Sequence, residues 1–159
     1  MVTREMISPC EVQNLIAGWW FDYDQGNFAA WPAYFTSDAR FTCRSDSGVT
    51  GFEEFVTTDV SGRPALVEWQ IDHRRNSPYP LRHHGTNIHV TSSTEGSATF
   101  RSYIVVTHVV GGTPVLLSSG MCHGGVRREE DRLRIAALHV ILDFTNSQDF
   151  DAADRRDLV

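Results

Sequence analysis

The chain has 159 residues, 41% hydrophobic and 21% charged, with a net charge of −6 and three cysteines. That length is one domain's worth, enough to bury about two-thirds of its unfolded surface in a single core. The mild acidity and the lack of a basic stripe argue against nucleic acid as partner. Cys10, Cys43 and Cys122 are odd in number and widely spaced, which suits a reducing compartment better than a disulfide framework. No apolar run approaches the roughly 20 residues of a membrane span, and the opening Met1 to Pro9 lacks the pattern of a signal peptide. A cytoplasmic protein with no membrane partner is expected.

In chain order, Ser8, Pro9 and Glu11 predict a capped helix start. Val12, Leu15, Ile16, Trp19, Trp20 and Tyr23 follow at helical spacing and give one wide apolar face. Asn27 is positioned to cap a second short helix through Phe28, Trp31, Tyr34 and Phe35, and Ala39 to Arg44 reads as a strand with Phe41 and Cys43 on one side. Gly51 to Val56 predicts a third helix ending near Ser61 to Pro64, and the polar stretch from Leu66 to Pro80 reads as a short strand or helix followed by a loop. Beyond it, segments near 82–93, 97–110, 114–128 and 132–144 alternate or run apolar, with turns at Gly111 to Thr113 and Glu129 to Asp131. Helices first and an antiparallel meander afterwards predict an α+β domain over 1–148, with a loosely held tail over 149–159. A strongly curved, mostly antiparallel sheet closed at one end by helices encloses one pocket, a cone-shaped α+β barrel. Its broad outer face, with Val105, Val109, Leu116, Leu138, Val140 and Leu142 as candidates, needs covering, so a homo-oligomer is expected.

Three positions carry chemistry. Asp24 follows Tyr23 at the end of the first helix, His83 and His84 sit on a strand and face opposite sides, and His108 lies among Ile104, Val106 and Val110 on the next. Each alone has a plain explanation: a solvated loop acid, or a hydrogen-bonded core histidine. Together, in a fold with one pocket, a carboxylate that orients an imidazole makes a general base, which is proton-transfer chemistry without metal or cofactor.

Tyr23-Asp24 with Asn27-Phe28, Trp31, Phe35 and Ser37-Asp38-Ala39 resembles the first segment of scytalone dehydratase and its relatives in the SnoaL-like (nuclear-transport-factor-2-like) superfamily. His83-His84-Gly85-Thr86-Asn87 resembles the His-x-Gly-Thr-Asn strand of lindane dehydrochlorinase, a member of the same group. The resemblance spans residues 8 to 145 and implies a cofactor-independent dehydratase. His83 would be the base, Asp24 its orienting acid, Tyr23 an aid to the leaving hydroxyl, and His108 a donor to the growing enolate oxygen. It also implies self-association, as a trimer ahead of a dimer. Cys43 stands where scytalone dehydratase has a second tyrosine, Cys122-His123-Gly124 where it has Ser-x-Asn, and Trp19 where lindane dehydrochlorinase has a lysine. The candidate substrate-binding residues are Trp19, Phe41, Cys43, Asn87, Ile104, Val106, Met121, His123 and His139, an aromatic and fairly apolar set suited to a phenolic, polyketide or steroid-like molecule.

The competing expectations are a cyclase or isomerase of natural-product biosynthesis using the same base, a non-catalytic small subunit of a ring-hydroxylating oxygenase, and a silent ligand-binding domain. The seven histidines show no His-x-His with a following Glu and no His-Glu-x-x-His, so no metal site is expected. Asp72-His73-Arg74-Arg75 reads as a solvated loop or a pocket rim, and Cys122 as a small packed residue rather than a nucleophile.

Overall fold

The computed structural model describes residues 5–151. Helix α1 (Pro9–Gln25) opens on a reciprocal capping box: the Glu11 N–H donates to the Ser8 hydroxyl at 3.3 Å, and the Ser8 N–H donates to the Glu11 carboxylate at 2.8 Å. It closes at Gly26, whose φ of 65° lets the chain turn left-handed out of the helix. Between these caps Val12, Ile16, Trp19, Trp20, Tyr23 and Asp24 are buried, so the stripe that packs the core also carries an acid inside at its last turn.

A 3₁₀ turn (Trp31–Tyr34) leads into β1 (Phe35–Ser45), followed by a one-turn α2 (Glu53–Val56), β2 (Thr58–Ser61), α3 (Arg63–Arg75), β3 (Leu81–Ser93), β4 (Ser97–Val110), β5 (Thr113–Glu129) and β6 (Arg132–Leu142). Three segments differ from expectation. The short helix expected through Phe28 to Phe35 with an Asn27 cap is only the 3₁₀ turn, with Ala30 at its N-cap, and Phe35 already opens β1, ahead of the strand expected from Ala39. The helix from Gly51 stops at Val56, because Thr57, Thr58 and Val60 suit a strand, and Val60 pairs with Phe41 of β1. The polar stretch after Leu66 is α3, whose buried face is Leu66, Val67, Gln70 and Arg74. Half of that face is polar, which hides its helical period.

The six strands form one sheet in the order β2-β1-β6-β5-β4-β3. β1 and β6 run parallel and every other neighbouring pair is antiparallel. The outermost strands β2 and β3 do not meet, so the sheet is mixed, mostly antiparallel as expected, and does not close on itself into a complete barrel. α1 packs against β3 and β6, and α3 against β1 and β2. On β6, Leu138, Val140 and Leu142 point into the core and are buried, although the sequence assigned them to the outer face; Val109 and Leu116 are exposed and Val105 is half-buried. Along β3 the pairing slips between Thr86 and His89, and Asn87 takes a left-handed φ of 54°, the mark of a bulge. No described helix is long and apolar enough to cross a membrane. Of the expected tail, residues 149–151 are described, and residues 152–159, like 1–4, lie outside the described residues.

Two glycines of β5 mark a close approach to β6. A Cβ at Gly120 would overlap the carbonyl oxygen of Ile141, and one at Gly124 the carbonyl oxygen of Ala137. The missing side chains let β5 fold tightly over the backbone of β6. Gly124→Ala is therefore expected to destabilise the protein by about 1–3 kcal/mol or more, through forced backbone displacement. Urea unfolding checks this, and a midpoint equal to that of the wild type would contradict it.

Candidate functional site

Between the helices and the concave face of the sheet lies a cavity of about 260 Å³. α1 contributes Trp20 and Tyr23, β1 Phe41 and Cys43, and α3 Trp69, Gln70 and His73. Leu81 and His83 of β3, Ile104 and Val106 of β4, and Val140 and Leu142 of β6 form its sheet-side wall. Phe52, Phe55 and Leu117, all partly exposed, stand at its mouth.

Asp24 holds His83 with both carboxylate oxygens. Nδ1 of the ring lies 2.6 Å from Oδ1, and the backbone N–H of His83 donates to Oδ2 at 2.7 Å. The two side chains are 5% and 12% exposed respectively, so water competes little with this contact. A carboxylate accepts only, which puts the ring proton on Nδ1 and leaves Nε2 with its lone pair for the cavity. Trp20 stacks over the ring, with centroids 4.7 Å apart and planes 9° from parallel. The ring thus meets a carboxylate at its edge and an indole face above it. Arg74 fixes the acid from behind: its guanidinium donates to the carbonyl oxygens of Tyr23 at 3.1 Å and Asp24 at 2.8 Å, satisfying the free end of α1.

Tyr23, one residue before the acid, turns its phenol to His73 of α3, with Oη 2.7 Å from Nδ1. The His73 ring is sandwiched between Phe55 (4.3 Å) and Trp69 (4.9 Å). Burial, aided by the charges of His83 and Arg74, lowers its pKa to about 4. Burial also raises the Tyr23 phenol well above its ordinary value. At neutral pH this is an uncharged phenol–imidazole pair beside the His83 ring, which it meets edge-on at 5.2 Å. The Cys43 thiol is pushed up to about 12 by burial, and so is Cys122, so neither is a thiolate.

Of the residues singled out from the sequence, Tyr23, His83, Phe41, Cys43, Ile104 and Val106 line the cavity, and Asp24 lies directly behind His83. Trp19 does not; it is fully buried at the hub of an aromatic cluster with Trp31, Tyr34 and Phe35. His108 sits half-buried beyond a register slip at which Leu117 is left unpaired, and it does not reach the lining. Leu117 turns towards the cavity instead. Met121, His123 and His139 lie on the other side of the sheet from Cys122, Leu138 and Val140, with the His123 and His139 rings 4.9 Å apart and His139 Nδ1 2.8 Å from the Thr42 hydroxyl. Asn87 is exposed at the bulge in β3. Sequence reasoning left out Trp20, Trp69 and Gln70 and had His73 at most at the rim; the periodicity Leu66, Gln70, His73 was the available signal. Among the described residues no group of three or more His, Cys, Asp or Glu side chains is placed to hold a metal ion.

Helices over a curved, open mixed sheet with a cavity between them define a class of small α+β cavity proteins. The chain belongs to the SnoaL-like domain family, which matches residues 5–139. Solved structures agree at the level of the fold. A variant of Rv3472, a Mycobacterium tuberculosis protein of unknown function, is 25% identical with a TM-score of 0.68, over 91% of this chain and 84% of that one. An NTF2-like protein with a cystatin-like fold from Novosphingobium aromaticivorans is 23% identical (TM-score 0.66, 90% and 82% covered). ActVI-ORFA from Streptomyces coelicolor is also 23% identical (TM-score 0.66, 84% and 95% covered). A search of curated proteins finds no match.

The depressed pKa of His73 has a consequence for stability. In the unfolded chain the ring takes up its proton near 6.5, in the native protein only near about 4. Between those values the unfolded state binds the extra proton, so stability falls as pH drops from about 6.5 towards 4. His73→Gln removes this contribution, and its loss of Tm between pH 7 and about pH 4.5 should be smaller than that of the wild type. Equal losses by calorimetry would count against a native His73 that stays neutral.

Proposed function

We propose that this protein is a cofactor-independent dehydratase for a small aromatic or polyketide-like hydroxy-carbonyl compound, with His83 as the base. One observation carries the proposal: a buried carboxylate 2.6 Å from one nitrogen of an imidazole whose other nitrogen is left for an aromatic cavity. An imidazole is the side chain best suited to taking a proton at neutral pH.

In this proposal Nε2 of His83 removes a proton from the carbon next to the substrate carbonyl. The C–H electron pair shifts into the enolate, then forms the new C=C bond as the C–O bond to the β-hydroxyl breaks. The proton held on His83 passes to the departing hydroxyl, so one water leaves and the imidazole is neutral again. Asp24 and the face of Trp20 stabilise the transient imidazolium. Tyr23, kept protonated and held by His73, hydrogen-bonds the oxygen that leaves. The role at the enolate oxygen that the family resemblance gives His108 is not carried over, because His108 lies away from the lining.

A panel of β-hydroxy aryl ketones headed by 3-hydroxy-1-tetralone, whose dehydration yields 1-naphthol, tests the proposal. The wild type should release product lighter by one water. Asp24→Asn and His83→Gln should each lower kcat/KM by about 10²–10⁴-fold while melting cooperatively. Wild-type turnover in both variants sinks the mechanism. A product that keeps its water assigns the same base to an isomerase or cyclase, and an unreacted panel counts against dehydration.

A further inference from the structure

Gln70 is a polar side chain of the cavity that the chemistry above does not use, as are Ser77 and Ser118. It lies on α3 one turn before His73 and Arg74, is 1% exposed, and lines the cavity. Its Oε1 has no hydrogen-bond partner among the described residues. The polar groups around it are already engaged: His73 with Tyr23, Arg74 with the carbonyls of Tyr23 and Asp24, and Asp24 with His83. Most of the remaining lining is apolar or aromatic, Phe41 and Trp69 among it with their rings 5.5 Å apart, and Ser77 and Ser118 are the further hydroxyls. Native proteins leave few buried amide oxygens unmatched, because each forfeits its hydration for nothing in return.

We infer that Gln70 reads a hydroxyl on the ring of the bound molecule, a group other than the one that leaves, so that the cavity takes hydroxylated aromatics in preference to bare ones. A phenolic hydroxyl donates to Oε1 and also accepts from the Nε2 end of the same amide, so one small neutral group matches both ends of the side chain. A carboxylate in that place would have to shed its hydration among apolar walls with no cation turned to it, which selects against acids. A site built to hydrogen-bond a hydroxyl discriminates sharply against the analogue that lacks it, because the unmet polar atom remains buried. The inference rests on this cavity being the substrate site.

Binding rather than turnover tests it, so its fate is separate from that of the proposed reaction. Calorimetric titration with 2-naphthol and with naphthalene gives the hydroxyl preference as a ratio of Kd values. The wild type should prefer 2-naphthol by about ten-fold, the scale set by leaving one buried acceptor unmet. Gln70→Met, close in volume, should bring the ratio near unity while binding naphthalene about as tightly as the wild type, which shows the cavity intact. His83→Ala should keep the preference. A ratio retained in Gln70→Met, a ratio lost in His83→Ala, or a wild type that shows no hydroxyl preference, including one that binds neither probe, overturns the inference.

Discussion

Both oxygens of the Asp24 carboxylate close on one residue of β3, and the arrangement of the cavity depends on that contact. One oxygen fixes the His83 ring and the other its backbone N–H, so the end of α1 and the start of β3 are joined through a single side chain. Arg74 supplies the counterpart from α3 by taking the terminal carbonyls of α1. Three elements distant in sequence thus converge on two neighbouring residues, Tyr23 and Asp24. Burying so much charge is costly unless every group is matched, and here the carboxylate oxygens and the guanidinium are matched. The same matching fixes which imidazole nitrogen faces the carboxylate.

The site divides into two imidazoles with opposite surroundings. His83 has a carboxylate at its edge and an indole on its face; His73 has aromatic rings on both faces and a neutral phenol at its edge. The second setting favours a ring that stays uncharged. One cavity thus holds two imidazoles in different electrostatic settings, and burial lowers the pKa of His73.

Much of this was legible in the sequence, and the misses have physical causes. The capping box at Ser8 and Glu11 and the 3.6-residue stripe to Tyr23 gave α1, and with it the inward direction of Asp24. The four late strands fall within a few residues of expectation because tight turns punctuate them. α3 was hidden since Gln70 and Arg74 occupy half of its buried face, and a buried polar residue looks like an exposed one in sequence. With α3 unassigned, Trp69, Gln70 and His73 could not be placed. His108 was misplaced for another reason: strict alternation was continued through a slip in β5 that no local signal marks. For Met121, His123 and His139 the difficulty was symmetry, since both faces of β5 and β6 carry apolar residues and the period of two does not say which face is inward.

The bulge at Asn87 sits on a strand that has a neighbour on one side only. A flat ribbon of free amides invites another chain to zip onto it, and a kinked one does not. With its hydrogen-bonding row interrupted halfway along, β3 offers an incoming strand no long template. Fibre-like growth from one molecule to the next is therefore discouraged on the flank that carries His83.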